Sequence, residues 1–401
     1  MNAPIPILTW TTILFPAPLF LDLALALVGN LLAGRRQQCA APATAAGPRL
    51  AVVIPAHNEE AMIACTIASL LAAGCVRADR PEAAARIFVV AHNCTDRTAE
   101  VAARAGAVVV VLDQFRGKGA ALRRGFQAAA QAGAEAFVVV DADSTVEANL
   151  LSALGGALAA GAEAAQCRYE LAMPAARTPL ASERLRMLAF RGMNVLRARG
   201  RAALGLSAGL FGNGFALTAR LLESVPYDVD SICEDLEYNA RLVAAGRRVV
   251  WVEETAVYAQ PSAAGKAQTA QEARWEGGRL RVAWQSTPAL LHRLVQGHAE
   301  ALATLAELWS LPLSRGLILL PFLLLSPLRA AHLYALFGLL LSLFYVLASA
   351  RLGSEPARDL AALTAAPLHL LKKIMRTPAA LRQAQRHAEW TRTSREVQPH
   401  E

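Results

Sequence analysis

Apolar positions fall into short continuous runs across the middle of the chain and long ones near its ends. Between residue 50 and about residue 284, runs rich in Val, Ile and Phe alternate with longer stretches of Ala, Leu and Arg. Residues 50–55 (LAVVIP), 86–91, 107–112 and 136–141 have strand length and are apolar at consecutive positions. A strand covered on one face alternates, whereas one covered on both faces reads as an unbroken run. The pattern therefore predicts an α/β fold, a mainly parallel sheet with helices on both faces. Ligands of such sheets bind beyond the carboxyl ends of the strands.

The long runs have another character. Residues 10–32 are apolar except for Asp22, close to the ~20 residues that span a bilayer. Arg35 and Arg36 follow at once, which places the next domain on the cytoplasmic side by the positive-inside rule. Two further spans are expected at 302–325 and 330–350, joined at Ser326 and Pro327. Residues 182–201 carry Leu185, Leu188, Ala189, Met193 and Leu196 at helical spacing, with arginines elsewhere on the wheel. That suits a helix in the membrane interface or one lying on a soluble core. The expected division is a transmembrane helix in 1–34, a small-residue linker at 35–49, and a catalytic domain at 50–285. Two transmembrane or interfacial helices follow within 302–350, then a basic cytoplasmic tail at 351–401.

Composition supports this division. Hydrophobic residues make up 55% of the 401, and the formal charge of +8 is carried mostly by arginine. A basic balance beside apolar spans suits an anionic membrane surface, and no basic helix with interleaved aromatics points to nucleic acid. The six cysteines form no C-x-x-C pair and read as small core residues in a reducing compartment.

Candidate chemistry lies at strand ends. Asp141 and Asp143 follow the run at 136–141; two nearby carboxylates repel unless a cation lies between them, although a solvated turn or helix cap is the plainer alternative. Lys118, between Gly117 and Gly119, opens a helical stretch where an anion could bind. Glu234 and Asp235 precede an amphipathic run and could supply a general base or merely complement a helix dipole. Gln271, Arg274 and Trp275 form a Q-x-x-R-W string; Arg can pair with a diphosphate and Trp can stack on a sugar.

In order, VVIPAHNEE, NCTD, GKG, DAD, ED and QxxRW resemble the family 2 glycosyltransferases, above all the membrane-bound group of cellulose, chitin and hyaluronan synthases and ceramide glucosyltransferase. The resemblance covers residue 50 to about 284. It implies a glycosyltransferase A-type (nucleotide-diphospho-sugar transferase) fold and an inverting mechanism that needs a divalent cation, Mg²⁺ or Mn²⁺. Pro55, Ala56 and Glu59 would line the nucleotide pocket, with His92 standing where an aspartate is usual. Lys118, Asp141 and Arg274 would also serve the donor. Asp143, with Asp141, would hold the metal, and Asp235 would be the base. Glu234, Gln271, Trp275 and the loop Gly212, Asn213, Gly214, Phe215 would face the acceptor. The implied donor is a UDP-sugar and the acceptor a lipid or glycan at the cell membrane, in glycolipid or envelope polysaccharide synthesis. The alternatives are a processive β-glycan synthase working with partner subunits, and a non-catalytic membrane-bound scaffold.

Overall fold

The computed structural model describes residues 10, 12–33, 47–78, 85–113, 117–173, 177–261 and 266–367, without the side chains of 266–274. Most of the expected linker and most of the basic tail lie outside the described residues, as do the side chains of Gln271 and Arg274. The chain divides into two compact units, a sheet unit and a helical unit built mainly from residues 1–37, 179–207 and 283–376.

Among the described residues the sheet unit holds eight strands: β1 (Leu50–Ala56), β2 (Arg86–His92), β3 (Val108–Leu112), β4 (Ala136–Val139), β5 (Ser144–Val146), β6 (Ala164–Leu171), β7 (Phe215–Thr218) and β8 (Val249–Ala259). Their order is β3-β2-β1-β4-β7-β6-β8-β5. The pairs β1–β2, β2–β3, β1–β4 and β6–β8 are parallel, while β7 and β5 run antiparallel to their neighbours. The chain moves outward from β1 to β3 and then resumes at β4 on the other side of β1. That reversal opens a crevice beyond the carboxyl ends of β1 and β4.

Both faces of the sheet are covered, which explains the continuous apolar runs. Val52 and Ile54 of β1 pack with Ile63, Ile67 and Leu70 of helix Ile63–Ala72 and with Leu154 of helix Leu150–Ala159. Ala51 and Val53, pointing the other way, join Leu122 and Phe126 of helix Lys118–Gln131 and Tyr238 and Leu242 of helix Glu234–Ala244. Gly125 permits this approach, because a Cβ there would lie 2.3 Å from Val53 Cγ1. The four strands read from the pattern are β1 to β4. The others escaped it because β6 and β8 mix charged residues into their runs, β5 has only three residues and β7 only four.

Among the described residues the helical unit contains two helices long and apolar enough to cross a membrane, Thr12–Ala33 and Arg329–Arg351. The stretch expected as a span at 302–325 is formed by two helices, Glu300–Trp309 and Leu313–Leu323, which meet at 81° as a broken span or a re-entrant pair. Pro312 at the break has no N–H for a continuous helix. The stretch near 182–201 also differs from the wheel expectation. It forms helix Ala181–Arg191, a π-helical turn Gly192–Leu196 and helix Arg197–Ala203. Its Arg184, Arg191, Arg197 and Arg201 are buried, not turned to water or headgroups. Arg201 bonds Asp22 (2.5 Å) and Glu307 (2.6 Å), and Arg197 bonds the same two carboxylates at 3.3 and 3.0 Å. Arg191 and Arg184 share Asp359. Carboxylates distant in sequence thus neutralise a face that the wheel marks as polar. Gly29 and Gly200 let two helices meet, since a Cβ on Gly29 would lie 1.9 Å from the Gly200 carbonyl oxygen.

Candidate active site

Four segments of the sheet unit meet beyond the carboxyl end of β4. The Asp141–Asp143 segment is a turn between β4 and β5, with Ser144 N–H donating to Asp141 O at 3.2 Å. Thr66 Oγ1 donates to Ala142 O at 2.8 Å, which ties the turn to helix Ile63–Ala72. Asp141 and Asp143 therefore lie on a turn and not in extended chain. Asp141 Oδ1 meets Lys118 Nζ at 2.6 Å, while Asp143 Oδ1 accepts from Ser144 Oγ at 3.3 Å.

Lys118 occupies the first position of its helix. Gly117 before it has φ +100°, open to glycine but strained for other residues. Gly119 after it lies against the backbone, where a Cβ would sit 2.3 Å from Val229 O. The two glycines thus place the lysine. Its ammonium bridges Asp141, Glu234 Oε1 at 3.5 Å and the Gly212 carbonyl oxygen at 2.7 Å. Burial alone would lower its pKa, but Asp141 and Glu234 outweigh burial and hold it above the ordinary lysine range. Burial pushes Glu234 up to about 7; Lys118 opposes this and Asp235 adds to it.

Asp235 stands in the first turn of helix Glu234–Ala244, where the positive end of the helix dipole favours a carboxylate. Its Oδ1 accepts from Leu236 N–H at 2.8 Å. A Cβ built on Gly212 would lie 3.2 Å from Asp235 Oδ2 and 3.4 Å from Lys118 Nζ. Gly212 has φ +75°, so its lack of a side chain serves both the turn and the approach of these charged groups.

The loop from Gly212 to Phe215, expected on the acceptor side, is buried throughout. Asn213 is fully buried and turns its side chain to the Asp141 turn: Oδ1 accepts from Asp141 N–H at 3.1 Å and Nδ2 donates to Ser144 Oγ at 2.8 Å. A Cβ on Gly214 would meet Cys167 Sγ and Val257 at 2.6 Å, and Phe215 is buried within β7. None of these four residues is exposed.

At the ends of β1 and β2, Pro55 and Ala56 are buried and His92 is 2% exposed. His57 Nδ1 lies 2.8 Å from His92 O. Glu59 donates its N–H to Thr98 Oγ1 at 2.8 Å, and Glu60 donates its own to Asp96 Oδ2 at 3.1 Å. Asn58 Oδ1 accepts from Thr95 N–H at 2.7 Å. Asn58 and Asn93 both have left-handed backbones, which asparagine tolerates better than most residues. Sequence reasoning missed this clasp of Asn58, Thr95 and Asp96. Its signal is an asparagine just beyond each of two apolar strands. Trp275, on helix Lys266–Val295, is half exposed, and its carbonyl accepts from Cys233 Sγ at 3.4 Å.

The donor set of the Asp141 turn suits one kind of ion. No group of three or more His, Cys, Asp or Glu is poised as a metal cluster among the described residues. Two partly exposed carboxylates on one turn fit a hard cation of the Mg²⁺ or Mn²⁺ type, which takes one or two carboxylates and fills its remaining positions with phosphate oxygens and water.

Comparison with known proteins agrees with this architecture. The profile of the family described as glycosyltransferase like family 2 matches residues 48–278. An uncharacterized glycosyltransferase of Mycobacterium tuberculosis is 36% identical over 118 residues, 29% of this chain and 47% of its own, so the chain spans about half of that relative's length. Protein RfbJ of Shigella flexneri is 36% identical over 100 residues, 25% of this chain and 68% of its own. Among solved structures, the mannosyltransferase PcManGT of Pyrobaculum calidifontis, in complex with GDP-Man and Mn²⁺, superposes with a TM-score of 0.51 at 17% identity, covering 89% of this chain and 98% of that one. At that identity the likeness establishes the fold, a glycosyltransferase A-type α/β fold. With the family match spanning more than half of the chain, this protein belongs to the family described as glycosyltransferase like family 2.

Proposed function

We propose that this enzyme transfers one sugar, with inversion, from a nucleoside-diphosphate sugar to a hydroxyl of a lipid or short glycan acceptor at a membrane. The observation that carries the reading is the meeting of Asp141, Glu234 and Asp235 around Lys118 Nζ and Gly212, groups far apart in sequence. In the proposed reaction Asp235 accepts the proton of the acceptor hydroxyl. That oxygen bonds to the anomeric carbon as the bond to the diphosphate oxygen breaks on the opposite face. The nucleoside diphosphate leaves, and an α-linked donor yields a β-linked product. Asp143 and Asp141 would hold a divalent cation, which when bound supplies positive charge beside the leaving diphosphate. Lys118 sets the separation of Asp141 and Glu234. Arg274 and Gln271 are assigned to the diphosphate and acceptor from the Q-x-x-R-W order alone, with Trp275 beside them. The solved mannosyltransferase carries GDP-Man and Mn²⁺ in the same fold, which supports the nucleotide-sugar and cation classes.

The membrane part of the reading rests on two apolar helices, or three spans if the bent pair counts as one. The two or three spans among the described residues favour single transfer over a one-chain polymer channel, which needs a protein-lined polar path. Arg35 and Arg36 after the first helix favour a cytoplasmic catalytic unit. The test is to incubate membranes bearing the protein with a panel of nucleotide sugars and weigh the products by mass spectrometry. Addition of a single hexose to a lipid or oligosaccharide is the expected result. A ladder of polymer would establish the processive alternative, and no transfer from any donor despite nucleotide binding would leave only a scaffold.

A further inference from the structure

Behind the Asp141 turn runs a chain of buried polar side chains that the reaction does not call on directly. Gln166 is fully buried on β6, between Ala165 and Cys167, both also fully buried. A carboxamide in such a place is costly unless its bonds are made. Gln166 Nε2 donates to the carbonyls of Asn213 (2.8 Å), Cys167 (2.9 Å) and Gly214 (3.2 Å), and Oε1 accepts from Phe211 N–H at 3.1 Å. It thereby fixes the loop that carries Asn213. Asn213 reaches from that loop to Asp141 N–H and Ser144 Oγ, and Ser144 Oγ reaches Asp143 Oδ1.

The direction of every bond is dictated by backbone groups. The Asp141 and Phe211 N–H groups can only donate, so each must face an amide oxygen. This forces Asn213 Nδ2 toward Ser144 and Gln166 Nε2 toward the three carbonyls. Ser144 Oγ then accepts from Asn213, which directs its own proton to Asp143.

We propose that Gln166, Asn213 and Ser144 are positioning residues that hold the Asp141–Asp143 turn in the shape that receives a cation and diphosphate, with Ser144 presenting a fixed proton donor to Asp143. This rests on the proposed role of Asp143. None of the three touches the reacting atoms. They act as outer supports of a metal site act, by fixing the orientation of its carboxylates.

The decisive variant is Ser144→Ala, which deletes one hydroxyl and leaves the loop's other bonds in place. Asn213→Asp is its companion: it keeps the acceptor for Asp141 N–H but cannot donate to Ser144. Mn²⁺ binding in the presence of UDP or GDP is read by electron paramagnetic resonance of free Mn²⁺, alongside donor and acceptor KM and the thermal midpoint. The expected result for Ser144→Ala is a ~10-fold weaker Mn²⁺ affinity and a raised donor KM, with acceptor KM unchanged, in the range that loss of an outer support produces. A lowered thermal midpoint with unchanged Mn²⁺ affinity and donor KM would reduce the chain to scaffolding and overturn the proposal. Asp143→Ala separates the two failures. If wild type binds Mn²⁺, Asp143→Ala does not, and Ser144→Ala binds as wild type, only the relay is wrong. If Asp143→Ala also binds as wild type, or wild type binds no Mn²⁺, the assignment of the cation to this turn falls, and the relay with it.

Discussion

Lys118 Nζ lies 2.6 Å from Asp141 Oδ1, joining the first turn of one helix to the turn beyond β4. The same ammonium is 3.5 Å from Glu234. Lys118→Met leaves both carboxylates without their cation. Since Glu234 is buried but Lys118 and Asp141 are only partly sheltered, the expected loss of stability is about 2 kcal/mol, below that of a fully buried pair. Nucleoside diphosphate affinity should fall with it. Chemical denaturation and calorimetric titration check both, and unchanged values in each would make the bridge incidental.

The raised pKa of Glu234 has a signed consequence for stability. Its ordinary value is 4.5 and burial, opposed by Lys118 and aided by Asp235 and Asp141, takes it to about 7. The folded state then holds a proton that the unfolded state releases. This contribution is complete below about pH 4.5 and is lost as pH rises to about 7. Glu234→Gln should flatten the stability profile in that window. A profile with the same slope in the variant would show that another group titrates there.

Asp235→Asn retains the shape and most hydrogen bonding of the side chain but cannot take up a proton at neutral pH. Turnover should fall ~10²-fold or more, as lost general-base catalysis does. Donor and cation affinity should persist. Near-normal turnover in a purified variant would assign Asp235 to the helix dipole alone.

In the helical unit, Arg201→Met removes a cation shared by Asp22 and Glu307. Breaking such a buried arrangement from one side costs about 3–5 kcal/mol. Adding Asp22→Asn leaves Arg197 with Glu307 and restores charge balance, so the double variant should be more stable than Arg201→Met. Thermal unfolding in detergent measures the cycle, and additive losses would mean that the four charges do not act as a set.

Much of the fold was legible because its cause is local. The unbroken runs of β1 to β4 follow from burial on both faces, and such burial leaves its mark on consecutive residues. The sequence marked candidate groups just beyond β4, at Asp141 and Asp143, and at a helix start, at Glu234 and Asp235, and the fold brings Asp141, Glu234 and Asp235 together around Lys118 and Gly212. Gln166 left no mark, since its partners are backbone groups of other segments, and Asn213 was read only as part of an acceptor-side loop, because its partners Asp141 N–H and Ser144 Oγ come from a distant turn. The helical wheel likewise placed Arg184, Arg191, Arg197 and Arg201 on a polar face, because a wheel cannot see Asp22, Glu307 or Asp359 arriving from elsewhere.

The sequence by itself determined the α/β class, the membrane-length apolar runs and the family, since each is written in hydrophobic period or in the order of short motifs. Tertiary structure alone decided that Asp141 faces Lys118 while Asp143 faces Ser144, and that Gly212 to Phe215 are buried. It also decided that four arginines end in the interior of the helical unit. The reason is physical. Periodicity records how one segment meets solvent or core, whereas the direction of a buried hydrogen bond or ion pair depends on groups that only the folded chain brings within 3–4 Å.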